Sequence, residues 1–396
     1  MRIFIEPTEP LLFRTGRSFD AGESNFAESI FPPTPETIQG ALRAMIAVQW
    51  GKAQPNLIGN LEEIFKQPSI VDLIGKGNIY GQFRITGFTL GRCRADKKVE
   101  RLFPAPIHII QATIQADHET ATKRVRLKPR KTAGLLSNIP EGKQLLFLDL
   151  NGEKTAGKSE PLNGWLTAQD LRKALSNTGN LADIQAVLSS NIYEKEARLG
   201  IGMSNSTKTT QEGYLYQIQM IRMQPNYGFV VDIELGRDTE GGSKELPYGE
   251  NLMSQQEIRD KLNFLKQGWL TLGGEQRAAH FEVLESEHIA EEPGVEQTQQ
   301  GNLIYFATPT YFKGGWLPAA SHILPATPIT ATINRYQPIG GWQLEPGHAG
   351  GSSKVTRRCI PAGSVYFFDK PVTVTQPLTE YGWQIGYGIA YTGDYE

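Results

Sequence analysis

Hydrophobic and polar positions alternate with a period of two along much of this chain, and a helical period of 3.6 is confined to a few stretches. Strand patterns cover Arg2–Ile5, Gln82–Arg92 (Phe83, Ile85, Phe88, Leu90), Gly213–Met223 and its partner Tyr227–Leu235. Leu102–Ile114 reads as a loop broken by Pro104 and Pro106 and then a strand. Leu145–Leu150 reads as a buried strand, and Ala279–Glu287 alternates Phe281 and Val283 with acids. Further strands are expected at Leu303–Thr308, Ile329–Asn334, Gly363–Phe368 and Trp383–Tyr391. The helical stretches are Glu36–Trp50, Asn163–Ser176, Leu181–Ser190 and Gln255–Lys266. In the first, Ile38, Leu42, Met45 and Ile46 share one face, Thr34 suits the N-cap and Pro35 the first turn. Gly40 lies inside that helix, where glycine costs about 1 kcal/mol relative to alanine. It points to close approach of a backbone or a ligand, with packing inside the chain the simpler cause.

Strands with helices between them and many antiparallel hairpins make the fold class α+β. The 41 Gly and 24 Pro reinforce this, because that excess over the average favours turns and short strands over a helical bundle. At about 150 residues per domain, 396 residues suggest two domains. Two copies of a βαββαβ unit with insertions fit that length. The acidic, Gly-rich stretch Gly236–Gly249 is the candidate boundary, dividing the chain into 1–235 and 250–396. Only two cysteines, Cys93 and Cys359, are present, so a disulfide framework is excluded and a reducing, cytoplasmic setting is expected. The start Met1–Pro7 turns acidic too soon for a signal peptide, and no run of about 18 apolar residues suggests a membrane partner.

Charge is unevenly placed. The formal net charge is −2, which argues against an indiscriminate nucleic-acid binder. Yet Arg84–Lys131 holds twelve Lys/Arg against four Asp/Glu, and Asp232–Glu296 holds fifteen acids against six bases. Lys123, Arg124, Arg126, Lys128, Arg130 and Lys131 put six cations into nine residues. Arg124, Arg126 and Lys128 alternate with Val125 and Leu127, which predicts one cationic strand face. That strand is either a solvated surface element or an arm lying along phosphates. Catalytic and metal signatures are missing from the pattern. The six histidines show no metal-binding spacing, and no GxSxG, P-loop or Rossmann fingerprint occurs. No cofactor is implied. His280, beside Arg277, is the one histidine that could serve a metal-free ribonuclease as general base.

Several segments together resemble a known family. Arg14–Gly22 followed by Phe31–Arg43 (Phe-Pro-Pro-Thr-Pro-Glu-Thr-Ile-Gln-Gly-Ala-Leu-Arg) resembles the opening of the RAMP superfamily of CRISPR effector subunits. Arg101–Pro106 is similar to that family's Phe-Pro-Ala-Pro segment. Arg198–Tyr216 resembles its Thr-containing loop joined to a strand. Leu272–Glu275, Ile360–Tyr366 and Gly382–Gly393 resemble the third-subunit family of the type III-B Cmr complex. The resemblance implies two ferredoxin-like (RRM-like) domains with insertions. It also implies a non-catalytic subunit that holds the 5′ handle of the CRISPR RNA. Its neighbours would be the large polymerase-like subunit and the backbone RAMP subunits, with target RNA reached indirectly.

Under that resemblance, Arg14 and Arg17 would reach phosphates from a Gly-containing loop. Thr37 would lie at a helix start whose free N–H groups favour anions, and Gln39 and Arg43 would continue the contact one turn on. Thr207 and Lys208 would meet the sugar-phosphate backbone from a donor-rich loop. Gly386 and Gly388 would let that backbone approach closely. The Lys123–Lys131 run, Arg277, Arg357 and Arg358 would contact RNA or a protein partner. The competing expectation is a RAMP-fold, metal-independent endoribonuclease that processes CRISPR RNA, with His280 as base.

Overall fold

The computed structural model describes residues 1–395 except 15–25, 58, 78, 117–118, 132–139, 151, 204–205, 208, 237–251, 293–299 and 344–351. The strands of the first half are β1 (Arg2–Pro7), β2 (Phe26–Ala27), β3 (Phe83–Cys93), β4 (Val99–Pro104), β5 (Ile109–Ala116), β6 (Glu119–Arg130), β7 (Leu145–Leu148), β8 (Lys154–Pro161), β9 (Trp165–Thr167) and β10 (Tyr193–Met203). Then follow β11 (Thr210–Met223), β12 (Tyr227–Leu235), β13 (Gln267–Thr271), β14 (Ala278–Val283), β15 (Gln300–Phe306), β16 (Thr330–Thr332), β17 (Gln337–Ile339), β18 (Trp342–Gln343), β19 (Ser352–Ser353), β20 (Arg357–Cys359), β21 (Val365–Thr373) and β22 (Ala390–Gly393). The helices are α1 (Pro35–Lys52), α2 (Leu61–Ile64), α3 (Pro68–Ile74), α4 (Ala168–Leu175) and α5 (Gln255–Lys261). The strand-rich α+β expectation holds.

Two antiparallel sheets organise the chain. The larger runs β13-β14-β1-β12-β3-β4-β9, and the C-terminal one runs β16-β21-β15-β22. The four adjacent strands β14-β1-β12-β3 of the larger sheet and β22-β15-β21-β16 of the C-terminal one share an order: within each four, taken along the chain, the first lies between the third and the fourth, with the second beside the third. Side chains alternate across β1. Ile3 and Ile5 face α1, where Ile38, Leu42, Met45 and Ile46 form the core with Phe229 and Phe281. Phe4 faces the other way, onto Val99, Val230 and Leu284. The C-terminal sheet is covered by α4 from the first half, with Leu171 against Tyr305, Val365 and Phe367. The other strands form a ribbon, β10-β11-β2, a four-stranded sheet, β7-β6-β5-β8, and two two-stranded pairs, β17-β20 and β18-β19.

The segment Arg101–Pro106 joins the two main sheets. Arg101 makes two hydrogen bonds to Glu292 (2.9 and 2.7 Å) and reaches Asp232 at 3.4 Å, while Arg2 bonds Asp232 at 2.6 Å. Gly87 leaves room for this cluster, since a Cβ there would meet Asp232 at 2.5 Å. Burial opposes the charge on Arg101, but Tyr391, Asp232 and Glu292 outweigh it and hold its pKa above the ordinary value. Three residues along, the Tyr305 hydroxyl donates to the Pro104 carbonyl (2.7 Å).

Several expectations meet a different outcome. Tyr227–Leu235 pairs with β1 and β3 and not with Gly213–Met223, whose partners are β10 and β2, and the expected helix Asn163–Ser176 opens as β9 before α4. Strands β13 and β14 pair into the sheet of β1, so that sheet continues past Gly236–Gly249, most of which lies outside the described residues. Leu145–Leu148 is an edge strand of alternating exposed and half-buried residues, not a buried one. Leu181–Ser190 forms only 3-10 turns at Leu181–Asp183 and Ser189–Asn191. There the Leu181 and Ile184 carbonyls accept from Arg124, and Asn180 bonds the Ala182 amide, so side chains compete with a helical ladder. Trp383–Tyr391 opens as a 3-10 turn at Trp383–Ile385, because Gly386 (φ +99°) and Gly388 (φ +70°) take left-handed conformations that break a strand. Among the described residues, no helix is long and apolar enough to cross a membrane.

Candidate nucleic-acid interface

The N-terminus of α1 forms as its sequence dictates. Thr34 is extended (φ −72°, ψ 155°), its hydroxyl accepts from the Thr37 amide (3.4 Å), and the Thr34 and Thr37 hydroxyls lie 3.1 Å apart. The apolar stripe of α1 turns inward, which leaves Thr37, Gln39 and Arg43 half-buried and Gly40 exposed. A Cβ at Gly40 would meet nothing within 4 Å, so packing inside the chain does not account for this glycine. Arg43 donates to the Gly77 carbonyl (3.0 Å), and burial lowers its pKa.

Arg14 is exposed and forms an antiparallel bridge with Ser29. Just before it, Leu11–Phe13 are buried, and Ser29 accepts from the Phe13 amide (3.2 Å) while donating to the Gln219 carbonyl (2.7 Å). Arg14 therefore stands at a pinned loop base; Arg17 lies outside the described residues. The turn at Leu272–Glu275 packs here, with the Gly274 amide on the Leu12 carbonyl (2.7 Å). It leads to Arg277, which pairs with Glu275.

The β10-β11 ribbon carries Thr207 at its turn. Thr207 is exposed, its hydroxyl 2.8 Å from that of Thr209, and Lys208 lies outside the described residues. On β10, Leu199 (75% exposed), Ile201 (52%) and Met203 (54%) occupy alternate positions on one open face. Phe26 (45%), register partner of Gln217, joins Leu199 across the ribbon. The sequence reading missed this apolar face. Its signal is the apolar-glycine alternation of Leu199–Met203, which looks the same whether the face is covered or bare.

The cationic face of β6 exists but turns into the chain. Arg126 donates to the carbonyls of Lys173 (3.0 Å), Ser176 (2.6 Å) and Gly179 (2.7 Å), capping the C-terminus of α4. Arg124 donates to Leu181 and Ile184. Lys128 bonds Asn177 (2.9 Å) and Asp149 (3.0 Å), Lys123 bonds Glu153 (2.6 Å), and Arg130 lies 3.9 Å from Asp149. Lys131 is exposed. The alternation is as expected, but the oxygens it grips at Arg124, Arg126 and Lys128 belong to the protein itself.

Gly386 and Gly388 are buried. A Cβ at Gly386 would meet Ile85 at 3.0 Å and one at Gly388 the Leu378 backbone at 2.7 Å, so internal packing requires both glycines. Arg357 lies over the ring of Tyr381 and Arg358 over that of Tyr336. His280 meets Trp269 edge-on (centroids 5.5 Å apart) and is the register partner of Glu6. His108 is fully buried; burial first, then the charge of Arg126, lowers its pKa to about 3. Burial likewise pushes the Cys359 thiol up to about 12. Among the described residues, no three His, Cys, Asp or Glu side chains group to hold a metal.

No curated protein matches the chain. Among solved structures it is similar to a chain of the cryo-EM structure of the type III-B Cmr-beta bound to cognate target RNA and AMPPnP. Identity there is 17% over 93% of this chain and 86% of that one, with a TM-score of 0.45. A chain of the Csm1-Csm4 cassette in complex with AMPPNP matches at 10% identity over 96% and 98% of the two chains, with a TM-score of 0.26. The family model described as CRISPR-associated protein (Cas_Cmr3) matches residues 3–395, and over that span the chain belongs to the Cas_Cmr3 family.

Proposed function

We propose that this protein is a non-catalytic, RNA-binding structural subunit of a type III-B CRISPR effector complex. It holds the 5′ handle of the CRISPR RNA and docks the large polymerase-like subunit onto the backbone RAMP subunits. Family membership supports the effector setting. The strand order shared by β14-β1-β12-β3 and β22-β15-β21-β16 supports two ferredoxin-like units, the second covered by α4 from the first half. The observation that carries the RNA reading is the outer face of α1. There an exposed, unpacked Gly40 lies between Thr37 and Arg43, an open helix surface with hydroxyl and guanidinium donors alongside. The bare apolar face of the β10-β11 ribbon supports a docking role.

The test is the reconstituted complex with guide RNA photo-crosslinkable along its handle. Arg14→Ala with Arg17→Ala, and Arg43→Ala separately, should each cut handle crosslinks to this subunit severalfold. Unchanged crosslinking in both removes the surface. A metal-free cleavage assay on repeat RNA covers the enzymatic alternative, since cleavage lost in His280→Ala would overturn the non-catalytic reading.

A further inference from the structure

We propose that the guanidinium of Arg357, held over the ring of Tyr381, is a stacking seat for one unpaired base of single-stranded RNA. This rests on the RNA-holding role above and assigns part of that ligand to a surface on the C-terminal half. The Arg357 guanidinium carbon lies 3.5 Å from the Tyr381 ring centroid and 5.8 Å from that of Tyr311, whose ring stands edge-on to Tyr381. Tyr381 is braced from below. It shares a hydrogen bond with Tyr80 and packs at 5.6 Å on Tyr387, whose hydroxyl donates to Glu36 in the first turn of α1. The seat is thus tied to the helix that carries Thr37, Gly40 and Arg43.

Charge favours a phosphate-bearing occupant. Among the described residues, neither Arg357 nor Arg358 forms an ion pair with a carboxylate. The nearby acids are engaged elsewhere: Glu36 accepts from Tyr387, and Glu380 accepts from the Ala319 (3.1 Å) and Ala320 (3.0 Å) amides. Arg358, the next residue of β20, lies 5.3 Å over Tyr336, which is 48% exposed. Successive residues of β20 point to opposite faces, so Arg357 over Tyr381 is a separate plane from Arg358 over Tyr336, each with donors at its edge. Unstacked bases in single-stranded RNA lie on arginine planes and aromatic faces.

The experiment uses the full complex with guide RNA carrying 2-aminopurine at successive handle positions. In the wild type, one position should be quenched by stacking. Arg357→Lys keeps the charge and removes the plane, so fluorescence should recover at that position alone with the salt dependence of RNA release unchanged. Tyr381→Leu should speed release about tenfold. If Arg357→Lys alters no handle position while the RNA still crosslinks to this subunit, the seat is overturned and the RNA-holding reading stands. If the RNA does not crosslink to this subunit at all, both fall. A photo-crosslinker placed at Tyr381 that captures a protein subunit instead of RNA also overturns the seat.

Discussion

Replacing Arg126 with methionine decides what the most basic stretch of the chain does. The guanidinium donates to three carbonyls at and just beyond the end of α4, those of Lys173, Ser176 and Gly179, of which Ser176 also accepts from the Gly179 amide (3.2 Å). A hydrogen bond to a charged group contributes about 1.5–3 kcal/mol, and three sharing one guanidinium do not add. Burial opposes the charge, lowering the Arg126 pKa and offsetting part of the gain. The net loss for Arg126→Met is therefore about 2–4 kcal/mol. With a denaturant slope of about 3 kcal/mol per molar, the urea midpoint of the full chain should fall by about 1 M. Circular dichroism reads the midpoint, and RNA retention is measured in the reconstituted complex. A lowered midpoint with RNA retained is the expected result. An unchanged midpoint with RNA lost would refute the capping role and restore a phosphate-contacting arm. Arg130→Ala with Lys131→Ala, both exposed, is the control and should move stability by less than about 0.5 kcal/mol.

Arg101→Met leaves half-buried Glu292 and Asp232 with Arg2 alone and should cost about 2–3 kcal/mol, read as a lowered denaturation midpoint. His108 is held neutral, with its pKa near 3 against an ordinary 6.5, so below pH 6.5 the unfolded chain takes up a proton that the folded one refuses. Stability should fall by about 1.4 kcal/mol per pH unit from this group, about 2 kcal/mol by pH 5, and denaturation at pH 7 and pH 5 should show that slope removed in His108→Gln. Gly40→Ala meets open space and should stabilise the isolated chain by about 0.5–1 kcal/mol, while Gly40→Trp should reduce handle crosslinking in the complex without lowering the isolated chain's midpoint.

Periodicity made the local elements legible. The Ile38, Leu42, Met45 and Ile46 stripe is the buried face of α1, and Tyr227–Leu235 is β12 residue for residue. What periodicity cannot carry is partner identity. Arg124, Arg126 and Lys128 were readable as one cationic face, but a guanidinium binds a peptide carbonyl and a phosphate oxygen by the same N–H groups. Whose oxygen it meets depends on α4, some fifty residues along the chain. Leu199, Ile201 and Met203 pose the converse case, since alternation predicts a strand face and only the fold says whether anything covers it. The Arg101–Pro106 segment was legible as a resemblance, while its clamp onto Glu292, 191 residues away, was not.

The same long-range pairing alters the meaning of the charge asymmetry. A basic window and an acidic window in one near-neutral chain suggest two surfaces, one for RNA and one for protein. Yet Arg101 belongs to the first window, Asp232 and Glu292 to the second, and they neutralise each other in the interior beside Arg2. Arg124, Arg126 and Lys128 are likewise held by the chain. The windows therefore overstate the charge offered to partners, and cations outside the basic window become the ones that matter. Arg14 and Arg43 stand singly in the sequence and Arg357 and Arg358 as one adjacent pair. They lie at a loop base, on α1 and on β20. An RNA held by four such residues would make few phosphate contacts, so its release should depend only shallowly on salt, with a log–log slope near −3. Measuring that slope in the complex, with each arginine changed in turn, separates these positions from the β6 cations: changing one of the four should flatten the slope by about 0.7, and changing Arg126 should leave it where it was.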